Sequence, residues 1–403
     1  GLETKRDDAI MHGLLFLILV TGFIIEGARM AVTELGSPLA IWSPVGLVMA
    51  NSIAAIGEEG LRNLHKITWW FHLLLVVSFI GLIPFTKFRH IFTTSANYLF
   101  ADRGPKGKLV NLDLEDEDAE KFGATHIEDL NWKDIFDADA CTLCKRCQDR
   151  CPAFNSDKPL SPMKLVNQIG EVAFDSPDAS LIDTVSKDVL WACTTCRACQ
   201  EICPASIEHV SKIVELRRSM VLMEGEFPGE EVMAAMEQTE VNGNPLGIGY
   251  AQRGEWVEEL GIKSVAEDPE VDILYFVGCY ASFDKRNIAV AKSFIKLCQA
   301  AGVKVGILGK EEKCCGEPMR KMCNEYLYQT LAMENIELIN SYNIKKIVTS
   351  CPHCYNTLEK DYRDLGLEVE VESYTVFLES LLVSGQLKIN SDEFSCTYHD
   401  SCY

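Results

Sequence analysis

Two runs of four cysteines, each closed by a Cys-Pro pair, are the residues of this chain whose types and spacing point most directly to chemistry. The first run is Cys141, Cys144, Cys147 and Cys151, and the second is Cys193, Cys196, Cys199 and Cys203. Three thiolates on one tight loop can bind three corners of an iron–sulfur cubane, while the proline directs the fourth cysteine to another cluster. The spacing therefore predicts two [4Fe–4S] clusters, one held by Cys141, Cys144, Cys147 and Cys203 and one held by Cys193, Cys196, Cys199 and Cys151.

A structural zinc site is the alternative interpretation of these runs. Zinc ribbons use pairs of CxxC knuckles, however, and not two four-cysteine runs that end in proline. The runs resemble those of bacterial ferredoxins, so we expect a protein that carries electrons. The 17 cysteines of the chain, grouped largely as CxxC and CC, favour metal binding in a reducing compartment over a secreted disulfide framework.

Five further cysteines lie where the strands of an α/β unit would end. The apolar segments 271–278, 303–309 and 344–350 predict buried strands that alternate with helices, which is typical of a parallel sheet. The cysteines that follow them are Cys279, Cys314, Cys315, Cys351 and Cys354. Loops after parallel strands are the places where such sheets build their sites. Adjacent cysteines cannot both bind one corner of a cubane, which favours an unusual cluster, but a zinc site or an ordinary cubane with one spare thiol stays open.

The remaining cysteines within this α/β region do not follow strands. Cys298 and Cys323 lie on segments with helical patterns, and we expect both to be small buried residues.

The first hundred residues are predicted to enter a membrane. The apolar stretches 10–32 and 67–85 are each long enough to cross a bilayer as a helix. The segment 37–57 is also apolar but is interrupted by proline and glycine, so it could be a third span or a re-entrant segment. Glu26 and Arg29 lie one helical turn apart in the first stretch and are able to pair. Two buried helices of a soluble protein are the alternative.

The basic residues at the two ends of this region predict its orientation. Lys5 and Arg6 precede the first apolar stretch, and Lys87 and Arg89 follow the last. The positive-inside rule places both ends in the cytoplasm, which requires an even number of crossings. We therefore expect two spans joined by an extracytoplasmic connection.

Two histidines in this region are candidate haem ligands. His72 and His90 are eighteen residues apart, which is five turns of one α-helix, so both would project from one face about 27 Å apart. This spacing favours axial ligation of two b-type haems, one near each leaflet, with the partner ligands outside this chain. Pro84 lies between them and could kink the helix. His65 suits an interfacial role, and His12 is a weaker candidate ligand.

Charge and composition define the connections between these parts. The net charge of −21 argues against a nucleic-acid partner. We divide the chain into a helical membrane anchor (1–100), a polar linker with a solvated acidic run (101–139), an all-α domain with two [4Fe–4S] clusters (140–225), a second linker (226–269), an α/β domain with a parallel sheet (270–391) and a further, truncated domain (392–403).

The segment 69–92 (WWFHLLLVVSFIGLIPFTKFRHIF) resembles the last membrane helix of the respiratory nitrate reductase gamma subunit. That family is a di-haem cytochrome b that reacts with quinone. The resemblance implies that His72 belongs to the distal haem and His90 to the haem nearer the iron–sulfur domain.

The cysteine spacing C-x34-CC-x35-CxxC resembles the CCG domain of heterodisulfide reductase catalytic subunits. The resemblance implies that Cys279, Cys314, Cys315, Cys351 and Cys354 hold a non-cubane iron–sulfur cluster at the catalytic site. It also implies that His399 and Cys402 begin a second such domain. We expect the chain to be an internal piece of a longer protein, because it stops at Tyr403 within this motif.

The order of anchor, two-cluster domain and CCG domain resembles the membrane-bound electron-transfer-flavoprotein:menaquinone oxidoreductases, especially over 190–210 and 349–358. The resemblance implies a protein of the bacterial inner membrane, with its iron–sulfur domains in the cytoplasm. Electrons would pass from reduced electron-transfer flavoprotein, or another cytoplasmic redox protein, to the menaquinone pool. Disulfide reduction at the CCG cluster and a conduit subunit without a substrate are the alternatives. No GxGxxG or P-loop is present, so no tightly held nucleotide or FAD is expected.

Overall fold

The structure is a computed structural model that describes residues 6–117, 119, 121–388, 390 and 395–397. This part of the chain divides into two compact units. The first unit comprises the residues up to Phe100 together with Asp139–Lys145. The second comprises Ala101–Ala138 and the residues from Arg146 onward. The residues assigned to a further truncated domain, among them His399 and Cys402, lie almost entirely outside the described part.

The first unit is helical. Its α-helices are Arg6–Thr33, Pro44–Ile53, Glu58–Leu82 and His90–Leu99, with 3₁₀ turns at Pro38–Trp42, Ala54–Ile56, Ile83–Phe85 and Lys87–Arg89. Two segments, Asp8–Thr33 and Glu58–Phe85, are long and apolar enough to cross a membrane, with mean hydropathies of 2.1 and 1.9. Only 11% and 6% of their most apolar windows are buried within the chain. Within the described residues, most of this apolar surface is left uncovered, unlike the surface of a core helix.

The connection between the two long helices is too short to be a third span. Its α-helix, Pro44–Ile53, has ten residues, against the roughly 20 that a spanning helix needs. It lies close against the first helix at Gly27, where a Cβ atom would come within 2.6 Å of the Cβ of Met49. Glu26 and Arg29, which could pair by their spacing, have other partners. Glu26 accepts a hydrogen bond from Ser43 (2.7 Å). Arg29 pairs with Glu34, which lies just beyond the end of the first helix.

The prediction that His72 and His90 share one helix is also wrong. The helix that carries His72 ends at Leu82, and Pro84 lies in a 3₁₀ turn. Proline cannot donate the backbone hydrogen bond that a continuing helix needs. Thr86 is then fully extended (φ −127°, ψ 174°), and a new helix begins at His90. The five-turn register therefore does not apply.

The two-cluster region of the second unit is all-α, as predicted. The helices from the end of the first expected linker onward are Trp132–Ala140, Arg146–Asp149, Pro152–Asn155, Pro162–Asp175, Leu181–Val185, Lys187–Trp191, Ala198–Glu201 and His209–Arg218, followed by a π-helical turn at Ser219–Met223. Pro162–Asp175 shows why they form. Ser161 caps its first turn by accepting from the Lys164 amide (3.3 Å), and Leu165, Ile169 and Val172 share one buried face.

The C-terminal region contains the predicted parallel sheet. Its strands are β1 (Ile273–Tyr275), β2 (Val305–Gly306), β3 (Lys346–Thr349) and β4 (Glu370–Ser373), all parallel in the order β2-β1-β3-β4. The helices around it are Gly278–Phe283, Lys285–Ala300, Glu317–Lys321, Glu325–Ser341, Pro352–Asn356, Tyr362–Asp364 and Tyr374–Val383, with a π-helical turn at Thr357–Asp361. Both faces of the sheet are covered, since Leu274 lies in one hydrophobic core and its neighbour Tyr275 in another. The sequence patterns did not predict β4.

Neither expected linker is a free connection. In the first, the carbonyls of Leu109 and Leu112 accept hydrogen bonds from Arg320 (2.9 Å) and Gln329 (2.8 Å). The second folds into a helix, Glu230–Asn242, and 3₁₀ turns at Tyr250–Gln252 and Glu255–Leu260. Its Met236 enters one sheet core, and its Trp256 enters the other. Both segments are therefore folded parts of the second unit.

Candidate iron–sulfur sites

The five cysteines predicted to form one site do converge at the carboxyl end of the sheet. Cys279 follows β1, the pair Cys314 and Cys315 lies beyond β2, and Cys351 and Cys354 follow β3. Hydrogen bonds join their thiols into one continuous chain, from Cys279 to Cys314, Cys315, Cys354 and finally Cys351. The chain of thiols lies where the strand order reverses between β1 and β3, the position at which open parallel sheets place their sites.

Two glycines give the cysteine loops the room that they need. Gly278 has φ +75°, and a Cβ atom there would lie 3.0 Å from the sulfur of Cys354. Gly316, directly after the cysteine pair, has φ +81°, and its Cβ would lie 2.8 Å from the ring of Tyr328. Both positions combine a left-handed backbone with close contact, which only glycine accommodates.

Side chains from two later helical segments hold the backbone of the adjacent cysteines. Asn335 donates to the carbonyl of Cys314 (3.1 Å), and its own oxygen accepts from the Lys313 amide (3.2 Å). The Tyr362 hydroxyl donates to the carbonyl of Cys315 (3.0 Å). These bonds satisfy buried carbonyl groups and fix the direction in which both thiols point.

A buried ion pair beside Cys279 was missed by the sequence reasoning. Arg253 pairs with Glu312 and also donates to the sulfur of Cys279 (3.2 Å). Glu312 in turn accepts from the amides of Val277 (2.9 Å) and Gly278 (2.8 Å). Arg253 lies in a segment predicted to be a linker, and nothing in its local sequence signals this role.

The five thiols share their protons unequally. Hydrogen bonds from Cys314, the larger effect, and from Cys354 lower the pKa of Cys315 to about 7. A hydrogen bond from Cys354 also lowers the pKa of Cys351 to about 7. Hydrogen bonding to Cys314 and burial raise the pKa of Cys279 well above its usual value. Thiolates are the form that binds iron, so metal binding here would release the remaining protons.

The arrangement of the thiols fits a multi-iron cluster better than one zinc ion. Tetrahedral zinc needs four ligands around one point at about 2.3 Å from sulfur. Among the described residues, no group of three or more His, Cys, Asp or Glu side chains is placed to hold a single metal ion, whether zinc or iron. Thiols strung out in sequence can instead bind separate irons of one assembly, and thiolate is a ligand that iron–sulfur clusters prefer.

The second cysteine run and the last cysteine of the first run also lie together. Cys193 interacts electrostatically with Cys196 and Cys151, and Cys199 interacts with all three of them and also with Cys147 of the first run. The four residues that the crossed arrangement assigns to one cluster thus lie together, but Cys147, assigned to the other cluster, lies beside Cys199 as well, so the crossed assignment stays a prediction. The other predicted set, Cys141, Cys144, Cys147 and Cys203, is divided between the two units, and its joint ligation stays a prediction.

The two runs share an unusual local backbone. Leu143 and Lys145 in the first run have φ of 54° and 66°, and the matching Thr195 and Arg197 in the second have φ of 56° and 60°. A left-handed residue other than glycine costs about 1–2 kcal/mol, and such strain is retained mainly at functional sites. In the second run it lets the Thr195 amide donate to the sulfur of Cys193 (3.3 Å).

Arg217 was not predicted either, and it fixes the second run. Its buried guanidinium donates to the carbonyls of Leu190 (2.6 Å) and Cys193 (2.6 Å). It also reaches the carbonyl of Lys321 (3.5 Å), and the Lys321 amine donates to the hydroxyl of Thr195 (2.9 Å). Lys321 ends the helix that follows the adjacent cysteines, so the second run contacts the cysteine-rich sheet region directly.

The histidine environments in the first unit suit metal binding. The Thr21 hydroxyl donates to the carbonyl of Leu17 (2.7 Å) and lies 2.8 Å from Nδ1 of His72. A hydrogen-bond partner at Nδ1 is also what orients a histidine that binds a metal through Nε2. Burial and the nearby Arg89 lower the pKa of His90, which favours its neutral form. Nδ1 of His12 contacts only the nearby carbonyl of Asp8 (2.6 Å) among the hydrogen bonds described for it.

Cys298 and Cys323 are buried, as predicted. Cys298 lies in a core with Phe294, and burial raises its pKa to about 12. Cys323 is not on a helix, since its φ is 64°, and its sulfur faces the carbonyl of Val214 (3.7 Å). Neither thiol joins the chain of five.

A pocket of about 290 Å³ opens beside two of the cysteine motifs. Glu317, one residue after Gly316, and His353, between Cys351 and Cys354, lie in its wall. The rest of the lining is mostly apolar and includes Val232, Pro318 and Met322.

Comparison with known proteins matches two parts of the chain to protein families. Residues 137–207 match the 4Fe-4S dicluster domain, and residues 273–359 match the cysteine-rich domain called CCG. The chain contains both domains. The matches agree with the predicted iron–sulfur character of each region, while Arg253 and Arg217 lie outside the matched ranges.

Related proteins cover more of the chain. It is 37% identical to the EtfAB:quinone oxidoreductase of Syntrophomonas wolfei over 100% of its own length and 62% of that protein's. It is 34% identical to a probable membrane-anchored ferredoxin of Chromohalobacter salexigens, over 75% of this chain and 50% of the relative. It is 27% identical to one subunit of the dihydromethanophenazine:CoB–CoM heterodisulfide reductase of Methanosarcina barkeri, over 71% of this chain and 73% of the relative.

The chain thus spans about three fifths or less of the first two relatives. These relatives are iron–sulfur proteins and oxidoreductases, so the chain belongs among proteins that carry electrons. No solved structure matches it.

Proposed function

We propose that this chain is part of a membrane-bound oxidoreductase that passes electrons between electron-transfer flavoprotein, or another cytoplasmic redox protein, and the menaquinone pool. Its iron–sulfur domains would face the cytoplasm at a bacterial inner membrane. The observation that carries the proposal is the convergence of five thiols on one edge of the sheet, in contact through Lys321 with the second cysteine run. The similarity to a protein named EtfAB:quinone oxidoreductase supports the choice of partners.

The residues of the second unit define the order of the iron–sulfur sites. The five thiols of the CCG domain would hold a non-cubane cluster, and Cys193, Cys196, Cys199 and Cys151 would hold the nearer [4Fe–4S] cluster. Iron–sulfur clusters supply one-electron transfer when bound. The polypeptide would position these thiols, and the bond from Lys321 to Thr195 brings the Cys193 loop next to the helix that follows the adjacent cysteines.

The first unit would supply the membrane end of this path. Two long apolar helices with most of their surface uncovered fit a lipid environment. His72 and His90 are the proposed ligands of two b-type haems, each completed by a ligand from outside this chain. The orientation of His72 by Thr21 supports this assignment.

An anaerobic titration tests the proposal. The full-length protein would be mixed with reduced electron-transfer flavoprotein and then with a menaquinone analogue, while the haem and iron–sulfur spectra are followed. We expect the flavoprotein to reduce the haem and the quinone to reoxidise it. A Cys279→Ser variant should lose this transfer, whereas Cys298→Ser, in the same domain, should retain it. Haem that stays oxidised in the wild-type protein would refute the proposal.

Disulfide reduction is the second candidate function. The pocket beside Glu317 and His353 reaches both the adjacent-cysteine motif and the CxxC motif, so a small disulfide could approach the cluster. The similarity to part of a heterodisulfide reductase favours the same chemistry. Turnover of a disulfide by the reduced protein, abolished by Met322→Trp in the pocket wall, would support it. If neither the flavoprotein nor a disulfide exchanges electrons with the protein, a conduit between other subunits is the function that fits.

A further inference from the structure

The environment of Cys279 differs from that of the other four thiols, because a buried cation touches it. Arg253 is 3% exposed and its partner Glu312 is 2% exposed. The Arg253 guanidinium donates to the sulfur of Cys279 at 3.2 Å while its other nitrogen pairs with Glu312. A hydrogen bond from a charged donor is about twice as strong as a neutral one.

Arg253 reaches this position because the segment before it is built into the site. Gly243 ends a helix in the left-handed conformation (φ 64°), and its carbonyl accepts from the Cys314 amide (2.8 Å) and from Arg253 (3.4 Å). Gly254, at φ +80°, lies against the end of β2, where a Cβ atom would come within 3.1 Å of Ile307. The residues from Gly243 to Gly254 therefore contact two of the five cysteines.

Glu312 balances the charge of Arg253. The hydrogen bond from Arg253 to the Cys279 sulfur, and not a net positive charge, therefore distinguishes the environment of this thiol. Glu312 neutralises the guanidinium and uses both carboxylate oxygens on the amides that precede Cys279. Burial alone would lower the pKa of Arg253, but Glu312 and Cys279 raise it above its usual value, so the side chain stays charged. Hydrogen bonds to ligand sulfurs favour the more negative, reduced form of a cluster, and they are a main determinant of its potential.

We propose that Arg253 is a positioning residue for the cluster of the cysteine-rich domain, which holds the Cys279 sulfur in place and raises the reduction potential of that cluster. The inference rests on the proposed function only in requiring a cluster at the five cysteines. It assigns a determinant of the potential to a residue outside the matched cysteine-rich domain, which begins at residue 273.

Two variants test the proposal without leaving a buried charge unpaired. Arg253→Lys keeps the charge but loses the planar fork that reaches Glu312 and Cys279 together. The double variant Arg253→Gln, Glu312→Gln removes both charges at once, since an uncompensated buried charge is strongly destabilising. Arg218→Lys is the matched control, because Arg218 is equally buried and pairs with Glu325 (3.0 Å) but touches none of the five thiols.

The full chain would be prepared anaerobically in detergent and compared by iron and sulfide content, thermal unfolding and an EPR-monitored redox titration. We expect both Arg253 variants to lower the equilibrium constant for reduction of this cluster at least tenfold, which is about 59 mV for one electron. The two ferredoxin-type clusters in the same sample should not shift. Loss of iron from this site alone, with the other clusters and the unfolding temperature retained, would equally support the positioning role.

The results that would overturn this inference differ from the result that would refute the proposed function. An unchanged reduction potential with full iron content in the Arg253 variants would overturn the proposal. A loss of stability and of all clusters, equal to the loss seen in Arg218→Lys, would also overturn it. Either outcome would show that Arg253 is only a structural residue. A wild-type protein with only two cubane signals would instead refute the cluster of the proposed function.

Discussion

Replacing Gly278 by alanine should remove iron from the cysteine-rich domain. Gly278 has φ +75°, and a Cβ atom there would lie 3.0 Å from the Cys354 sulfur and 3.7 Å from the Cys351 Cβ. The left-handed backbone costs an alanine about 1–2 kcal/mol. Displacing Cys354 in a closely packed site adds about 1–3 kcal/mol. The added methyl group crowds the sulfur of a predicted ligand, Cys354, while its distance to Cys351 is an ordinary contact, so we expect cluster loss as well as destabilisation.

Gly302→Ala is a close control for this substitution. Gly302 has φ +76°, and nothing lies within 4 Å of its Cβ position. It therefore carries the same backbone penalty without the steric contact. Thermal unfolding of the full chain in detergent and iron content per chain would be measured for both variants. For a unit of this order of size, each kcal/mol of destabilisation should lower the unfolding temperature by about 2–4 °C. If Gly278→Ala keeps its iron and unfolds together with Gly302→Ala, the steric reasoning is wrong.

Three further substitutions probe other parts of the chain. Arg217→Met should destabilise the protein by about 1–3 kcal/mol and lower iron content by up to one cluster, because the buried guanidinium donates to the carbonyls of Leu190 and Cys193, and the methionine leaves them without this donor. Burial acts to raise the pKa of Asp137, but Lys212 holds this pKa below its usual value. The ion pair therefore stabilises the fold above about pH 4, and this stabilisation is lost as the pH falls. Asp137→Asn should therefore flatten the acid side of the stability curve. Thr21→Val should lower haem content by leaving Nδ1 of His72 without its partner, whereas Thr21→Ser should retain it.

Each expectation has a contradicting result. Full iron content and stability in Arg217→Met would show that the carbonyls find other donors. An acid-denaturation curve of Asp137→Asn parallel to the wild type would show that the pair with Lys212 does not govern the pH dependence. Equal haem content in the valine and serine variants of Thr21 would remove the argument for its orienting role.

Local spacing explains why much of the site could be predicted from the sequence. Cluster ligands on one loop must follow a fixed spacing, so the two cysteine runs identify themselves without knowledge of the fold. The five later cysteines follow three apolar strand segments, and parallel strands bring their carboxyl ends to one edge. The convergence of Cys279 with Cys354 therefore needed only the correct order of strands and helices.

Predictions that depended on an unbroken element or on a polar composition were less successful. The shared helix of His72 and His90 was expected from their register, but Pro84 and the extended Thr86 end that helix between them. The two polar segments were interpreted as linkers because they lack long apolar patterns. The first is instead held by backbone carbonyls that accept from buried side chains such as Arg320, and the second by Met236 and Trp256 in the cores of the sheet, contacts that composition does not reveal.

The sequence by itself predicted two iron–sulfur regions and proposed their cysteine ligands, because ligand spacing is a property of the local chain. Only the tertiary structure decided which side chains support those ligands. Arg253 reaches Cys279 across 26 positions, and Arg217 reaches the Lys321 carbonyl across 104. Hydrogen bonds between distant segments form only after the chain has folded, and no local pattern encodes them. The thiols are thus fixed by spacing, and their electrostatic environment by the fold.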